Sequence, residues 1–193
     1  MQVSLKFFSS SPQSLNIDSE LIILIGKSNV GKSSFINWIS NNKRLAYISK
    51  TPGRTQLLNY FTFQLNNFNG YLIDTPGYGF SKMSFVQQKR AQTAISHLFQ
   101  TKTEKIKLVI FLFDLRWKLT ENDIAIYKDF KSFPHFIIFT KFDKINQKLK
   151  FKQLKSHIFD LEINDKDYYI HSKLETNPKK KDLLFNSLLN KIK

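Results

Sequence analysis

Residues 20–33 read ELIILIGKSNVGKS, and the rest of the chain takes its order from this stretch. Glu20 opens a run that stays apolar through Ile25, the pattern of a strand buried on both faces. Gly26 to Gly31 interrupts the run, and Lys32 to Ile39 reads as a helix. Between them, Gly26-Lys27-Ser28-Asn29-Val30-Gly31-Lys32-Ser33 fits G-x-x-x-x-G-K-[ST] in the strand–turn–helix context that its mechanism needs. The glycines let the backbone wrap so that N–H groups point at phosphate oxygens, and the helix N-terminus adds its dipole. Lys32 is placed to reach the β- and γ-phosphates and Ser33 to ligate Mg²⁺, with Ser34 beside it in the same turn.

Outward from this loop, strands and helices alternate. Leu57 to Leu65 and Tyr71 to Asp74 read as strands, with Asn66, Asn67 and Asn69-Gly70 between them as a hairpin signal. Leu108 to Phe113, Phe136 to Phe139 and Tyr168 to Ile170 read as three more strands. Apolar stripes at helical spacing run through Val86 to Leu98, Ile124 to Phe130 and Leu184 to Ile192. Another passes through Phe151, Leu154, Ile158 and Leu161. The pattern predicts an α/β fold with a mostly parallel sheet of about six strands, helices on both faces and one antiparallel edge strand from the hairpin. The polar stretch Ser9 to Ser14 reads as part of an N-terminal arm over residues 1–19, and residues 1–193 as a single domain.

Of the 193 residues, 41% are hydrophobic, enough to bury one core. Lys and Arg number 30 against 15 Asp and Glu, a net charge of +15 that favours a polyanion: nucleic acid or an anionic membrane. Cysteine is absent, which excludes disulfides, thiolate metal sites and a Cys nucleophile and suits a reducing, cytoplasmic setting. No apolar run reaches the roughly 18 residues of a membrane span, and Met1 to Ser14 lacks the apolar core of a secretory signal. Membrane insertion is therefore not expected. His97, His135, His157 and His171 share no ligand spacing. Most of the 19 Phe fall in strand runs or helix stripes and read as core, whereas Tyr78, Phe80 and Phe85 read as exposed.

Two further motifs follow in order. Asp74-Thr75-Pro76-Gly77 ends a strand, where a carboxylate beside the phosphate loop can hold Mg²⁺ directly or through water. The Gly77 N–H is placed to meet a γ-phosphate and report its presence. Thr140-Lys141-Phe142-Asp143 follows another strand. The Asp143 carboxylate can accept from both N1–H and the 2-amino group of guanine, whereas adenine offers neither donor. The Lys141 stem can lie along the face of the base.

With these motifs in this order, the chain resembles the translation-factor-type GTPases. Lys50-Thr51-Pro52-Gly53-Arg54-Thr55-Gln56, Asp74 to Lys82, and Asp114-Leu115-Arg116 before Leu119 closely resemble the EngB (YsxC/YihA) family of bacterial GTP-binding proteins. The resemblance implies a P-loop GTPase fold, GTP/GDP and Mg²⁺ as ligands, and a role in assembly of the large ribosomal subunit, with a link to cell division. It places Gly53 and Arg54 in the first switch region, over residues 44–56, and makes Thr55 the threonine that ligates Mg²⁺ and senses the γ-phosphate. The second switch region then spans 74–85. Asn29 matches an Asn that helps hold a K⁺ ion in related GTPases. His171, Ser172 and Lys173 fall in the last base-contacting loop. Departures are Thr75 where the family often has Leu, Thr140 where many GTPases have Asn, and Ile170-His171-Ser172-Lys173 in place of Phe-Ser-Ser. Tyr78 stands where many GTPases place a water-orienting Gln, so slow hydrolysis is expected, with Arg54 a candidate stabiliser in cis.

Lys148, Lys152 and Lys155 share one helix face, opposite Phe151, Leu154 and Ile158, and Lys179 to Lys181 form a second cluster. Ribosomal RNA and a large-subunit precursor are the expected partners, and a monomer is expected. Two other readings remain open on residues alone: a P-loop nucleotide kinase, and an RNA-binding protein with a vestigial nucleotide site.

Overall fold

In a computed structural model, the described residues are 3–46, 57–79, 85–172 and 177–192. Seven strands form one sheet in the order β1-β3-β4-β2-β5-β6-β7. These are β1 (Val3–Ser11), β2 (Glu20–Gly26), β3 (Leu58–Leu65), β4 (Phe68–Asp74), β5 (Ile106–Asp114), β6 (His135–Thr140) and β7 (Tyr168–Ile170). The helices are α1 (Lys32–Ile39), α2 (Phe85–Thr101), α3 (Glu121–Phe130), α4 (Gln147–Leu161) and α5 (Pro178–Lys191). Strand β2 pairs in parallel with both β4 and β5, so its side chains on either face enter a core.

Burial separates those faces. Ile22 and Leu24 join Phe35 and Ile36 of α1 and Leu184 and Phe185 of α5 in one apolar layer. Leu21, Ile23 and Ile25 join Leu98 and Phe99 of α2, Tyr127 of α3 and Leu154 and Leu161 of α4 in the other. Helices thus cover both faces, as the alternating pattern requires.

The N-terminal arm is corrected to a strand over nine of its nineteen residues. Val3–Ser11 pairs antiparallel with β3 across a bulge between Phe7 and Ser9, giving seven strands rather than about six. An edge strand is held by backbone hydrogen bonds on one side, and Leu5 alone in β1 is buried, so the apolar pattern is faint. Strand β3 is the one that runs against the others, but it is not the edge, because β1 lies outside it. The hairpin turns at Asn66-Asn67, with Asn66 at φ 49°, and not at Asn69-Gly70, which lies inside β4.

Gly70 serves close packing instead. A Cβ there would lie 2.2 Å from the Glu20 carbonyl oxygen at the start of β2. Gly70→Ala should force the two strands apart and cost about 3 kcal/mol of stability. Urea denaturation measures this, and an unchanged midpoint would mean that β2 and β4 have room to spare.

Candidate functional site

Parallel strands bring their C-terminal ends to one edge, and the loops after β2, β4, β5, β6 and β7 meet there. The loop after β2 is followed at once by α1, with Gly31 at its N-cap and Phe35 N–H donating to the Gly31 carbonyl at 2.8 Å. Ser33 and Ser34 sit half-buried in the first turn of α1. Asn29 lies at the exposed loop tip with φ 57°, and Val30 N–H closes the turn onto the Lys27 carbonyl at 3.2 Å.

Lys32 is buried, and its Nζ donates to the carbonyls of Gly26 at 2.9 Å and Lys27 at 3.4 Å. Burial lowers its pKa, and the nearby Asp74 charge partly opposes this. Asp74, at the end of β4, is 2% exposed, and its Oδ1 has no hydrogen-bond partner among the described residues. Burial pushes its carboxyl up to about 6, against the pull of Lys32. An unpartnered buried carboxylate oxygen fits the oxygen-preferring Mg²⁺, and Ser33 carries a hydroxyl in the first turn of α1.

The residues after Asp74 are pressed onto the phosphate loop. Thr75 turns its hydroxyl into the sheet, donating to the Leu24 carbonyl at 2.7 Å, so of its groups read as ligand-facing only the backbone remains. Pro76 and Gly77 are buried. A Cβ on Gly77 would come within 2.6 Å of the Ser28 backbone, so only glycine lets the two loops touch. Ser28 N–H donates to the Tyr78 carbonyl at 3.1 Å.

Tyr78 is corrected from an exposed residue to a half-buried one. Its hydroxyl donates to Asp123 Oδ1 at 2.9 Å, and burial, then the Asp123 charge, raise its pKa and keep it protonated. Asp123 Oδ2 accepts from Lys27 Nζ at 2.6 Å, from Thr120 Oγ1 at 2.7 Å and from Thr120 N–H at 2.8 Å. Burial alone would raise the Asp123 pKa, but these donors lower it. One carboxylate on α3 thereby links the phosphate loop to the segment after β4. Sequence reasoning missed it; Thr120-x-x-Asp123 is a capping-box pattern that marks a helix start but carries no hint of Lys27 or Tyr78.

The residues expected to read a base converge on the same edge. Thr140 Oγ1 donates to the Val30 carbonyl at 2.7 Å, tying β6 to the phosphate loop. Lys141 adopts φ 61°, and its Nζ bonds the Asn29 carbonyl and Asp114 Oδ2, the latter at 2.8 Å. Asp114 also receives both Nε and Nη2 of Arg116, at 2.9 and 2.8 Å. Asp143 Oδ1 accepts from Ser172 Oγ at 3.1 Å, which brings the segments after β6 and β7 together. His171, read as a base contact, packs its ring against Phe35 and Trp38 of α1 instead, and its backbone N–H donates to the Phe139 carbonyl at 2.7 Å. Gly53, Arg54, Thr55, Phe80, Lys173 and the Phe85 side chain lie outside the described residues.

The 50S ribosome-binding GTPase family matches residues 21–141. A probable GTP-binding protein EngB of Fusobacterium nucleatum is 38% identical over 178 residues, covering 91% of this chain and 88% of its own. The chain belongs to the EngB family. An EngB relative from Mycoplasma mycoides is 42% identical over 146 residues, 73% of each chain. Among solved structures, a probable EngB superposes with TM-score 0.68 at 23% identity, over 89% of this chain and 98% of that one. Era bound to MgGDPNP and nucleotides 1506–1542 of 16S ribosomal RNA superposes with TM-score 0.70 at 22% identity, over 92% of this chain and 58% of that one. At that identity the solved structures establish a shared fold.

The raised Asp74 pKa has a definite sign. Protonated Asp74 adds stability that is fully present below its unfolded value near 3.8 and is lost as pH rises through about 6. Asp74→Asn removes this titration. Melting temperatures from pH 4 to 8, without Mg²⁺ or nucleotide, should show the wild-type protein losing stability relative to the variant near pH 6. Parallel curves would exclude Asp74 as the titrating group.

Proposed function

We propose that the protein is a GTP-operated switch that hydrolyses GTP slowly and acts in assembly of the large ribosomal subunit. One observation carries the nucleotide part: the Thr140 hydroxyl bond to Val30 fixes the Asp143–Ser172 end of the site to the loop that holds Lys32. A base and a phosphate chain could therefore be gripped at set separation. Lys32 and the loop N–H groups would bind the phosphates. Ser33, Thr55 and Asp74 would hold Mg²⁺, which supplies charge to the β- and γ-phosphate oxygens. The Gly77 N–H would sense the γ-phosphate, so GTP and GDP would present different surfaces.

Slow hydrolysis follows from Tyr78. Its hydroxyl already donates to Asp123, and a phenol lacks the amide with which Gln aligns an attacking water. Asn29 would help hold K⁺ at the phosphates, which predicts faster turnover in K⁺ than in Na⁺; equal rates would remove that role. The ribosomal part rests on family membership and on the +15 charge, which suits an RNA-rich particle. Among the described residues, no helix is long and apolar enough to cross a membrane.

Two experiments test this reading. Asp143→Ala should weaken GTP binding about 100-fold and erase the preference for GTP over ITP, whose base lacks the 2-amino group. A retained preference would place base recognition elsewhere. Co-sedimentation with large ribosomal subunits should be stronger with a non-hydrolysable GTP analogue than with GDP and should survive moderate salt. Equal binding in both states, erased by salt, would reduce the interaction to charge alone.

A further inference from the structure

Helix α4 carries an exposed face that the nucleotide site does not use. Phe151 and Phe159 are 73% and 83% exposed, the highest among the large apolar side chains of the described residues. The helical stripe read from the sequence places Phe151 in the core, but Leu154, His157 and Leu161 fill the buried side and leave it outside. At about 100° per residue, Lys148, Phe151, Lys152, Lys155 and Phe159 fall within an arc of about 100°. Phe159 projects from among the three lysines, and the two phenylalanines lie about 12 Å apart along the axis.

The arc has one sign of charge. Asp160 is the sole carboxylate of the helix; it lies outside the arc and takes a hydrogen bond from Ser156 at 3.4 Å. Lys148, Lys152 and Lys155 have no carboxylate partner among the described residues. A second copy of this chain would set three lysines against three lysines. A lipid interface favours a broad apolar face, and the apolar side of α4 is already buried in the core. Alternating cations and exposed aromatic rings match an unpaired polynucleotide, with phosphates for the ammonium groups and open base faces for the rings.

We infer that the outer face of α4 is a docking surface for single-stranded RNA, in which Lys148, Lys152 and Lys155 bind phosphates and Phe151 and Phe159 stack on bases. This rests on the proposed ribosomal role and assigns it a surface away from the nucleotide. The stacking part selects unpaired over paired RNA, because bases inside a duplex have no free face.

Fluorescence anisotropy with a labelled mixed-sequence oligoribonucleotide and its duplex tests the inference. Phe151→Ala with Phe159→Ala should weaken single-strand binding at least tenfold and leave duplex binding within twofold. Phe159→Trp should keep the affinity, with its added indole emission quenched on binding. Lys148→Ala, Lys152→Ala and Lys155→Ala together should lower the salt slope by about two. Unchanged GDP affinity and melting temperature establish that the variants are folded. Equal single-strand binding by the wild-type and double-Phe proteins would overturn the inference. So would vesicles of phosphatidylserine and phosphatidylcholine that bind through the two phenylalanines while RNA does not. If the double-Phe variant still co-sediments with large subunits as well as wild type, the α4 surface fails and the ribosomal reading stands. If the phenylalanines matter for RNA but no large subunits are bound, the surface stands and the ribosomal reading fails.

Discussion

Lys32 and Asp74 are both buried at the sheet edge, and no direct ion pair joins them among the described residues. Each charge loses its water, and mutual attraction at a distance recovers only part of that loss. Such an arrangement persists only where the surrounding framework is rigid enough to prevent the two groups from collapsing together or turning out to solvent. Strand β2 and the packed helix α1 hold one, and β4, in register with β2, holds the other. The double-sided core is thus what allows two buried charges to stay apart without a direct ion pair. Two buried groups held in this way do not serve the stability of the free chain, which is the mark of a functional rather than a structural pair.

Around this pair, the site is built from contacts that cross long stretches of sequence. Thr140 reaches Val30, Lys141 reaches Asn29, and Asp123 holds both Lys27 and Tyr78. These bonds link α3 and β6 to the phosphate loop, so a shift in one loop is felt by the others through a hydrogen bond and not through empty space. The Asp123 carboxylate has its oxygens shared among several donors. Drawing Lys27 toward another anion would loosen its hold there and change what Tyr78 leans on.

What could be read in the sequence follows the range of the forces involved. Strand β2 and the phosphate loop were legible because a continuous apolar run and a fixed motif are local. The ends of β4 and β6 were legible for the same reason, and so Asp74 and Asp143 could be placed at one edge of a parallel sheet. Strand β1 was not, because half of an edge strand faces water and its pairing with β3 is a backbone matter with little side-chain signature. Phe151 was misplaced because a stripe at helical spacing admits more than one phase, and His157 took the inward position. The turn of His171 toward Trp38 and the bond from Tyr78 to Asp123 depend on elements far apart in the chain, which only the folded topology brings together.

The reversed direction of β3 has a mechanical consequence. Because β3 runs against β4 and a two-residue turn joins them, Asn59 lies beside Asp74 in the sheet. The chain therefore enters β3 and leaves β4 at neighbouring points of one rim. If the segments before β3 and after β4 meet on a single ligand, they start out tethered to adjacent anchors, and much of the loop-closure entropy of bringing them together was already met when the hairpin folded. A ligand that touches both meets a high local concentration of the second once it holds the first. Cooperativity between the two segments would then be a property of strand direction, available without any contact between their own side chains.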